Sequence, residues 1–235
     1  MELIILESPV VDEACRRQIM SFIHGEAWQP FFNRELCEED KDYKHWHLVL
    51  EEAGGLIAHC HVCHSLRHKD FGLFSFLEVR KEFQGRGLAK TVYREAMAIL
   101  EGRGVGVVFL ETDFRNVARN GIYLKDGFVD IFVSPDGAVA MVKTPGSTID
   151  EYAKTNFRMA GGSAGRTLGY ADYLVADVLL NMKLDKVKDK SRLPLNSYGK
   201  RGAYSLFREA QLFPDIKSLC EQCGVCPPPQ LVLYH

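Results

Sequence analysis

A chain of 235 residues, 46% apolar and 26% charged, is long enough to bury a core of its own, and this composition excludes a disordered or fibrous protein. A formal net charge of -2 removes the basic excess on which general nucleic-acid binding depends, so nucleic acid is not expected as a partner. No stretch approaches the roughly 18 apolar residues of a membrane span. The seven cysteines are unevenly spaced and follow no secretory pattern, so they read as reduced thiols of a cytoplasmic protein.

In chain order, Glu2–Leu6 is apolar and β-rich and reads as a first strand, not as a signal peptide, because it lacks a basic start. Val11–His24 carries Val11, Cys15, Ile19, Phe22 and Ile23 near helical spacing. Trp28–Lys44 mixes aromatics with a charge run and reads as a loop or short helix. His45–Glu51 alternates, Glu52–Gly55 supplies a turn, and Leu56–Leu66 returns as a strand. Gly72–Val79 is a further strand. Leu88–Gly102 reads as a helix with Leu88, Val92, Ala96 and Ile99 on one stripe, and Val105–Glu111 as a buried strand. Asn116–Lys125 is expected to be a short helix closed by Asp126 and Gly127, followed by a hairpin of Phe128–Val133 and Ala138–Lys143 around Ser134–Gly137. After Lys143 the pattern changes. Helices are expected over Thr148–Met159, Tyr170–Asn181 and Tyr204–Gln222, with a glycine-rich connector at Ala160–Gly165.

The densest chemical signal is Gln84-Gly-Arg-Gly-Leu-Ala89, placed between a strand and a helix. Glycines let a backbone turn tightly and approach a bulky anion, and a helix N-terminus offers unpaired N–H groups and the positive end of the dipole. The element therefore reads as a pyrophosphate cradle. Its glycine spacing is wrong for a dinucleotide fingerprint. An ordinary glycine turn is the alternative.

Gln84–Ala89, the preceding Leu77-Glu-Val79, and the later run Leu110-Glu-Thr-Asp-Phe-Arg-Asn116 with Ala118, Tyr123, Gly127 and Phe128 together resemble the GCN5-related N-acetyltransferase superfamily over about residues 2–143. The resemblance implies an α+β fold in α/β/α layers, with a mixed, mostly antiparallel central sheet flanked by helices. It implies a catalytic domain over 1–143, with 144–235 as a mainly helical extension, and acetyl-CoA as co-substrate. By the same resemblance, the backbone of Gln84, Gly85, Arg86, Gly87, Leu88 and Ala89 would hold the CoA pyrophosphate. Leu77 and Val79 would bond the pantetheine as an added strand does. Asn116 would contact the cofactor arm, and Tyr123 would lie near the sulfur and protonate the leaving thiolate. Glu111 stands where one branch of the family has its general base.

The chemistry is consistent with these roles. An alkyl amine is mostly protonated at neutral pH and needs a base before it can attack a thioester. A carboxylate at a strand end in a partly apolar cleft is raised toward that task. A backbone N–H stabilises the oxyanion. Glu78 is the rival base, although strand alternation sets it opposite Leu77 and Val79. Each residue has a plainer role as well: a surface ion pair for Glu111, packing for Tyr123, an N-cap for Asn116.

His59-Cys-His-Val-Cys-His64 puts His59, His61 and Cys63 on one strand face, where they could ligate zinc, line an acceptor cleft or sit in the core. His47, His59 and His61, with Trp28, Phe31 and Phe32, are expected to shape the acceptor pocket. Cys220, Cys223 and Cys226 supply three soft ligands, short of a closed zinc site unless His235 joins them. The reading adopted assigns no metal. Lys183–Lys190 reads as a solvated face. The resulting expectation is an acetyl-CoA-dependent N-acetyltransferase acting on a primary amine, of a small molecule or a protein, by direct attack in a ternary complex. The alternative is a non-catalytic acyl-CoA-binding module that controls an interaction through 144–235, a segment that could also form a homodimer interface.

Overall fold

The apolar, β-rich residues at the start of the chain form β1 (Glu2–Glu7), which pairs antiparallel with β2 (Tyr43–Glu52) in the computed structural model. The structure describes residues 1–144 other than 25, 27, 42, 67, 68, 70 and 134–136, together with 187–189, 191, 193 and 195. The helices expected beyond residue 147, and Cys220, Cys223 and Cys226, lie outside the described residues. The chain divides into two compact units, Met1–Leu110 and Glu111–His235.

In the first unit, β2 turns through Ala53 and Gly54, both at positive φ, into β3 (Gly55–Ser65), which pairs antiparallel with β4 (Phe71–Val79). β5 (Val107–Asp113) then lies parallel to β4, so the strand order is β1-β2-β3-β4-β5. Between β1 and β2 come α1 (Glu13–Met20) and α2 (Gln29–Cys37), and between β4 and β5 comes α3 (Leu88–Gly102).

The helices take opposite faces of the sheet. α3 buries Leu88, Val92, Tyr93, Ala96 and Leu100, with Tyr93 edge-on to Phe74 and the Cys60 thiol directed at the Val92 carbonyl. On the other face, Ile19, Phe22, Ile23, Phe32 and Leu36 pack with Val49 and Leu56. The expected layers are therefore present in this unit.

α1 is shorter than its apolar stripe suggested. Asp12 caps it by accepting from the Cys15 amide at 2.6 Å. At the far end, the Ser21 amide closes on the Arg17 and Gln18 carbonyls and its hydroxyl donates to Gln18 O at 2.6 Å, which ends the helix while Phe22 and Ile23 continue into the core. α2 forms where a loop or short helix was expected. Pro30 stands in its first turn, where the missing N–H costs nothing.

In the second unit, the end of β5 is followed in strand order by β7 (Ala138–Lys143) and then β6 (Val129–Val133), which pair antiparallel as the expected hairpin. The helix expected over Asn116–Lys125 is present but irregular: Val117 and Ala118 are α-helical, followed by a π turn, Arg119–Tyr123, and a 3-10 turn, Leu124–Asp126. Asn116 Oδ1 takes the Ala118 amide at 2.9 Å, so a side chain replaces the first helical bond. The buried Arg119 pairs with Asp130 of β6, and Lys143 Nζ reaches Asp126 at 2.5 Å, so both ends of the turn are anchored to the hairpin.

Candidate active site

The Gln84–Ala89 loop follows a single 3-10 turn, Lys81–Phe83, and leads into α3. Gly85 and Gly87 have φ of +78° and +79°, a region that glycine alone enters without strain. Nothing lies within 4 Å of where a Cβ would stand at either residue, so the loop surface is open to a bulky ligand. Gly87 is the N-cap of a 15-residue helix and supplies no capping side chain. The first amides of α3 therefore point out of the helix with its dipole behind them. The Arg86 side chain is bidentate to Glu52 at 3.0 and 3.1 Å, so its charge is already paired.

Beside the loop, β4 departs from regular pairing in two ways. Its parallel ladder with β5 runs from Phe71/Val107 to Leu73/Phe109, so Phe74–Val79 lie beyond it. On the other side, His61 pairs with Ser75 and His59 with Glu78, which leaves Phe76 and Leu77 opposite Cys60 as a β-bulge. Phe76 sits at φ +53°, a strained value for an aromatic residue, and its ring is held 4.7 Å from that of Phe32. A splayed, bulged strand offers unladdered backbone to an extended ligand. Gln84 Nε2 donates to Val79 O at 3.0 Å and so ties the end of this strand to the glycine loop. Arg80 fixes the base of the loop: its Nε donates to Leu56 O at 2.6 Å, its Nη2 to Ser21 Oγ at 2.9 Å, and its guanidinium lies over Phe22.

The two carboxylates differ in their surroundings. Glu78 is half-buried, and burial raises its carboxyl, with the charge of His24 pulling the other way. The bulge resets the alternation, so Glu78 pairs across to His59, a residue of the face that α1 and α2 cover. Glu111, expected in a partly apolar cleft, is solvent-exposed where β5 leaves the core after Leu110.

In the second unit, Asn116 forms the side-chain turn that starts the π segment, and its amide donates to Asp113 O at 2.9 Å. Tyr123 ends that segment, 4% exposed, with its ring 6.0 Å from Phe128. Next to Asn116, Asp113 is gripped by Arg115 through both side chain and backbone, which lowers its carboxyl to about 2. Arg119 lies over Phe114.

The histidines do not line an open acceptor pocket. His45, His47, His59 and His61 are all buried on the sheet face beneath α2, and Phe32 meets His47, His59 and His61 edge-on. Burial holds all four below their usual range, His59 down to about 3, so they are neutral. Of the aromatics expected beside them, Phe32 is a core residue, whereas Trp28 is 54% exposed. Phe76, Arg80 and His45 escaped sequence reasoning. A bulge at a phenylalanine has no local signature, and His45 joins the array only through the cross-strand register of β2.

Among the described residues no helix is long and apolar enough to cross a membrane. The model of the Acetyltransferase (GNAT) family matches residues 11–128, half of the chain. No curated protein matches the sequence. Among solved structures, PaiA N-acetyltransferase from Thermoplasma acidophilum in complex with coenzyme A is similar at 16% identity and TM-score 0.43, over 61% of this chain and 99% of that one. The ribosomal-protein-S18-alanine N-acetyltransferase of Escherichia coli is similar at 17% identity and TM-score 0.45, over 70% of this chain and 100% of that one. An IAA acetyltransferase from Bacillus cereus gives 14% identity and TM-score 0.45, over 61% and 99%.

Proposed function

The chain belongs to the GNAT acetyltransferase family, and from that premise we propose that it transfers the acetyl group of acetyl-CoA to a primary amine by direct attack in a ternary complex. The observation that carries this reading is the Gln84–Ala89 loop: two left-handed glycines with open space around them, at the exposed N-terminus of α3 and tied by Gln84 to the splayed end of β4. Backbone amides of Gly85, Arg86, Gly87, Leu88 and Ala89 bind the pyrophosphate, where dipole and N–H donors act together on a doubly charged group. The free backbone of β4 at Leu77 and Val79 receives the pantetheine as a strand. An amide of the bulge faces the oxyanion that forms as the amine nitrogen bonds to the thioester carbon.

The amine must lose a proton before it attacks. Glu78 is the favoured base, because its burial raises the carboxyl toward the pKa that such a transfer needs, whereas Glu111 is exposed. Glu111 is the second reading, since it is the position that the family pattern marks. As the intermediate collapses, the C–S bond breaks and the thiolate takes a proton from the Tyr123 phenol, with Asn116 against the cofactor arm. Residues 1–143 carry the reaction and 144–235 extend it. A screen of small-molecule and peptide amines, followed by release of free CoA thiol, tests the proposal. Acceptor-dependent release, slowed about 10- to 100-fold in Tyr123→Phe, is expected. Acetyl-CoA binding without transfer to any amine would point instead to a non-catalytic acyl-CoA-binding protein.

A further inference from the structure

The face of the sheet beneath α2 carries more nitrogen and sulfur donors than the transfer reaction uses. His45 of β2 stands directly across from Cys63 of β3, and His61 lies two residues along β3 on the same face. All three are buried. One nitrogen of each imidazole and the Cys63 sulfur all lie within 4.8 Å of one another. His45 Nδ1 and His61 Nε2 face each other at 3.0 Å.

The remote nitrogens are held from outside the group. His45 Nε2 lies 3.4 Å from Asp40 Oδ2, and His61 Nδ1 lies 2.8 Å from Ser75 Oγ. Two imidazoles whose far nitrogens are fixed by a carboxylate and a hydroxyl, with the near nitrogens converging on a thiol, have the arrangement that orients histidine ligands on a metal. Donors on a tetrahedral zinc-class ion stand about 3.3–3.7 Å from one another, as its roughly 2.0–2.3 Å bonds require. To meet that, the facing nitrogens at 3.0 Å open slightly and the sulfur, within 4.8 Å of both imidazoles, draws in. His59, grouped with His61 and Cys63 by the sequence pattern, belongs instead to a second pair with His47, at 3.4 Å, which Ser8 Oγ closes at 3.1 Å from His47.

The surrounding charge fits a cation. A surface recess is lined by Glu35, Glu38, Glu39 and Asp40 with Arg34 and Lys41, so carboxylates outnumber cations two to one next to Asp40. Glu35 and Asp40 both act on Cys63 electrostatically. A doubly charged ion bonded to a Cys63 thiolate and faced by the Asp40 carboxylate is neutral overall, which removes the main cost of burying it.

We propose that His45, His61 and Cys63 bind one divalent transition metal of the zinc class, with water in the fourth position and with Asp40 and Ser75 orienting the imidazoles. On binding, the S–H bond of Cys63 breaks, a metal–sulfur bond forms, and the proton leaves to solvent. The site joins β2 to β3 under α2 and stands apart from the glycine loop, so it does not depend on the acetyl-transfer reading.

The test uses cobalt(II) as a spectroscopic probe on the full-length chain, stripped with chelator, followed by displacement with zinc. Cys220, Cys223 and Cys226 are replaced by serine in every sample, so that their thiols do not contribute. One cobalt per chain is expected, with a thiolate charge-transfer band and strong tetrahedral d–d bands. In the same background Cys63→Ser abolishes the charge-transfer band, and Asp40→Asn weakens binding about 10- to 100-fold. Absence of the band from a folded parent chain overturns the proposal, and so does a band that survives Cys63→Ser. Should Cys63→Ser fail to fold by circular dichroism, Asp40→Asn decides, and unchanged affinity there overturns it equally.

Discussion

Glu78 and Glu111 are the same chemical group in two environments, one half-buried and raised, the other exposed at the end of a strand. Glu78→Gln is expected to lower kcat/KM by about 10²–10⁴-fold with acetyl-CoA binding retained, and Glu111→Gln by less than about 10-fold. Steady-state rates on the two variants decide between the readings, and the reverse ranking would assign the base to Glu111. Gly72 tests packing: a Cβ there would meet Leu100 Cδ2 at 3.0 Å and Cys63 O and Val105 Cγ1 at 3.1 Å. Gly72→Ala is therefore expected to cost about 1–3 kcal/mol in a denaturant melt. Glu35 gives the pH dependence. Burial, reinforced by Asp40 and opposed by Arg34, raises its carboxyl from 4.5 to about 7. Because the folded pKa is the higher one, the folded state keeps a proton that the unfolded chain has lost, and stability falls as pH rises from about 4.5 through 7. In metal-free protein, Glu35→Gln escapes that fall. Its stability relative to the parent is expected to improve by up to about 3 kcal/mol between pH 4.5 and pH 8, read from melts at both values. A difference that does not change with pH would contradict the assignment.

At the scale of elements, α2 is anchored to the sheet by Phe32, which is fully buried against His47, His59, His61 and Phe76. Phe32→Ala is expected to destabilise the fold by about 3–5 kcal/mol, in the range of aromatic deletions from cores. It is also expected to release Phe76 from its strained conformation, weakening acetyl-CoA binding in a variant that still melts cooperatively. The element most legible in the sequence was α3, whose stripe and flanking glycines placed its ends at Leu88 and Gly102, as found. The hairpin of β2 and β3 was legible from the alternation of His45–Glu51 and the glycine turn that returns the chain as a strand at Leu56. The bulge was not, because Phe76 enters the left-handed region under the pull of tertiary packing on its ring, a long-range cause with no local pattern. The π turn was missed similarly, since the ion pair of Arg119 with Asp130 comes from β6, and periodicity within the turn carries no trace of it.

At the scale of the molecule, sequence and structure agree on what lies between β4 and α3 and differ on what lies beneath α2. The glycine loop was readable because a tight turn into a helix that takes left-handed φ at Gly85 and Gly87 demands glycine at those places. The histidine array was half readable: alternation put His59, His61 and Cys63 on one face of β3, but only the register with β2 replaces His59 by His45 as the partner of Cys63. The central claim is that the loop at Gly85–Ala89 is a CoA pyrophosphate site. Calorimetry of acetyl-CoA with the wild type and with Gly87→Glu addresses it directly, because the variant places a carboxylate in the open space over the loop. Binding by the wild type, weakened at least about 100-fold in a variant with native circular dichroism, is the predicted result. A folded wild type that does not bind acetyl-CoA, or a variant that binds as tightly as the wild type, would contradict it.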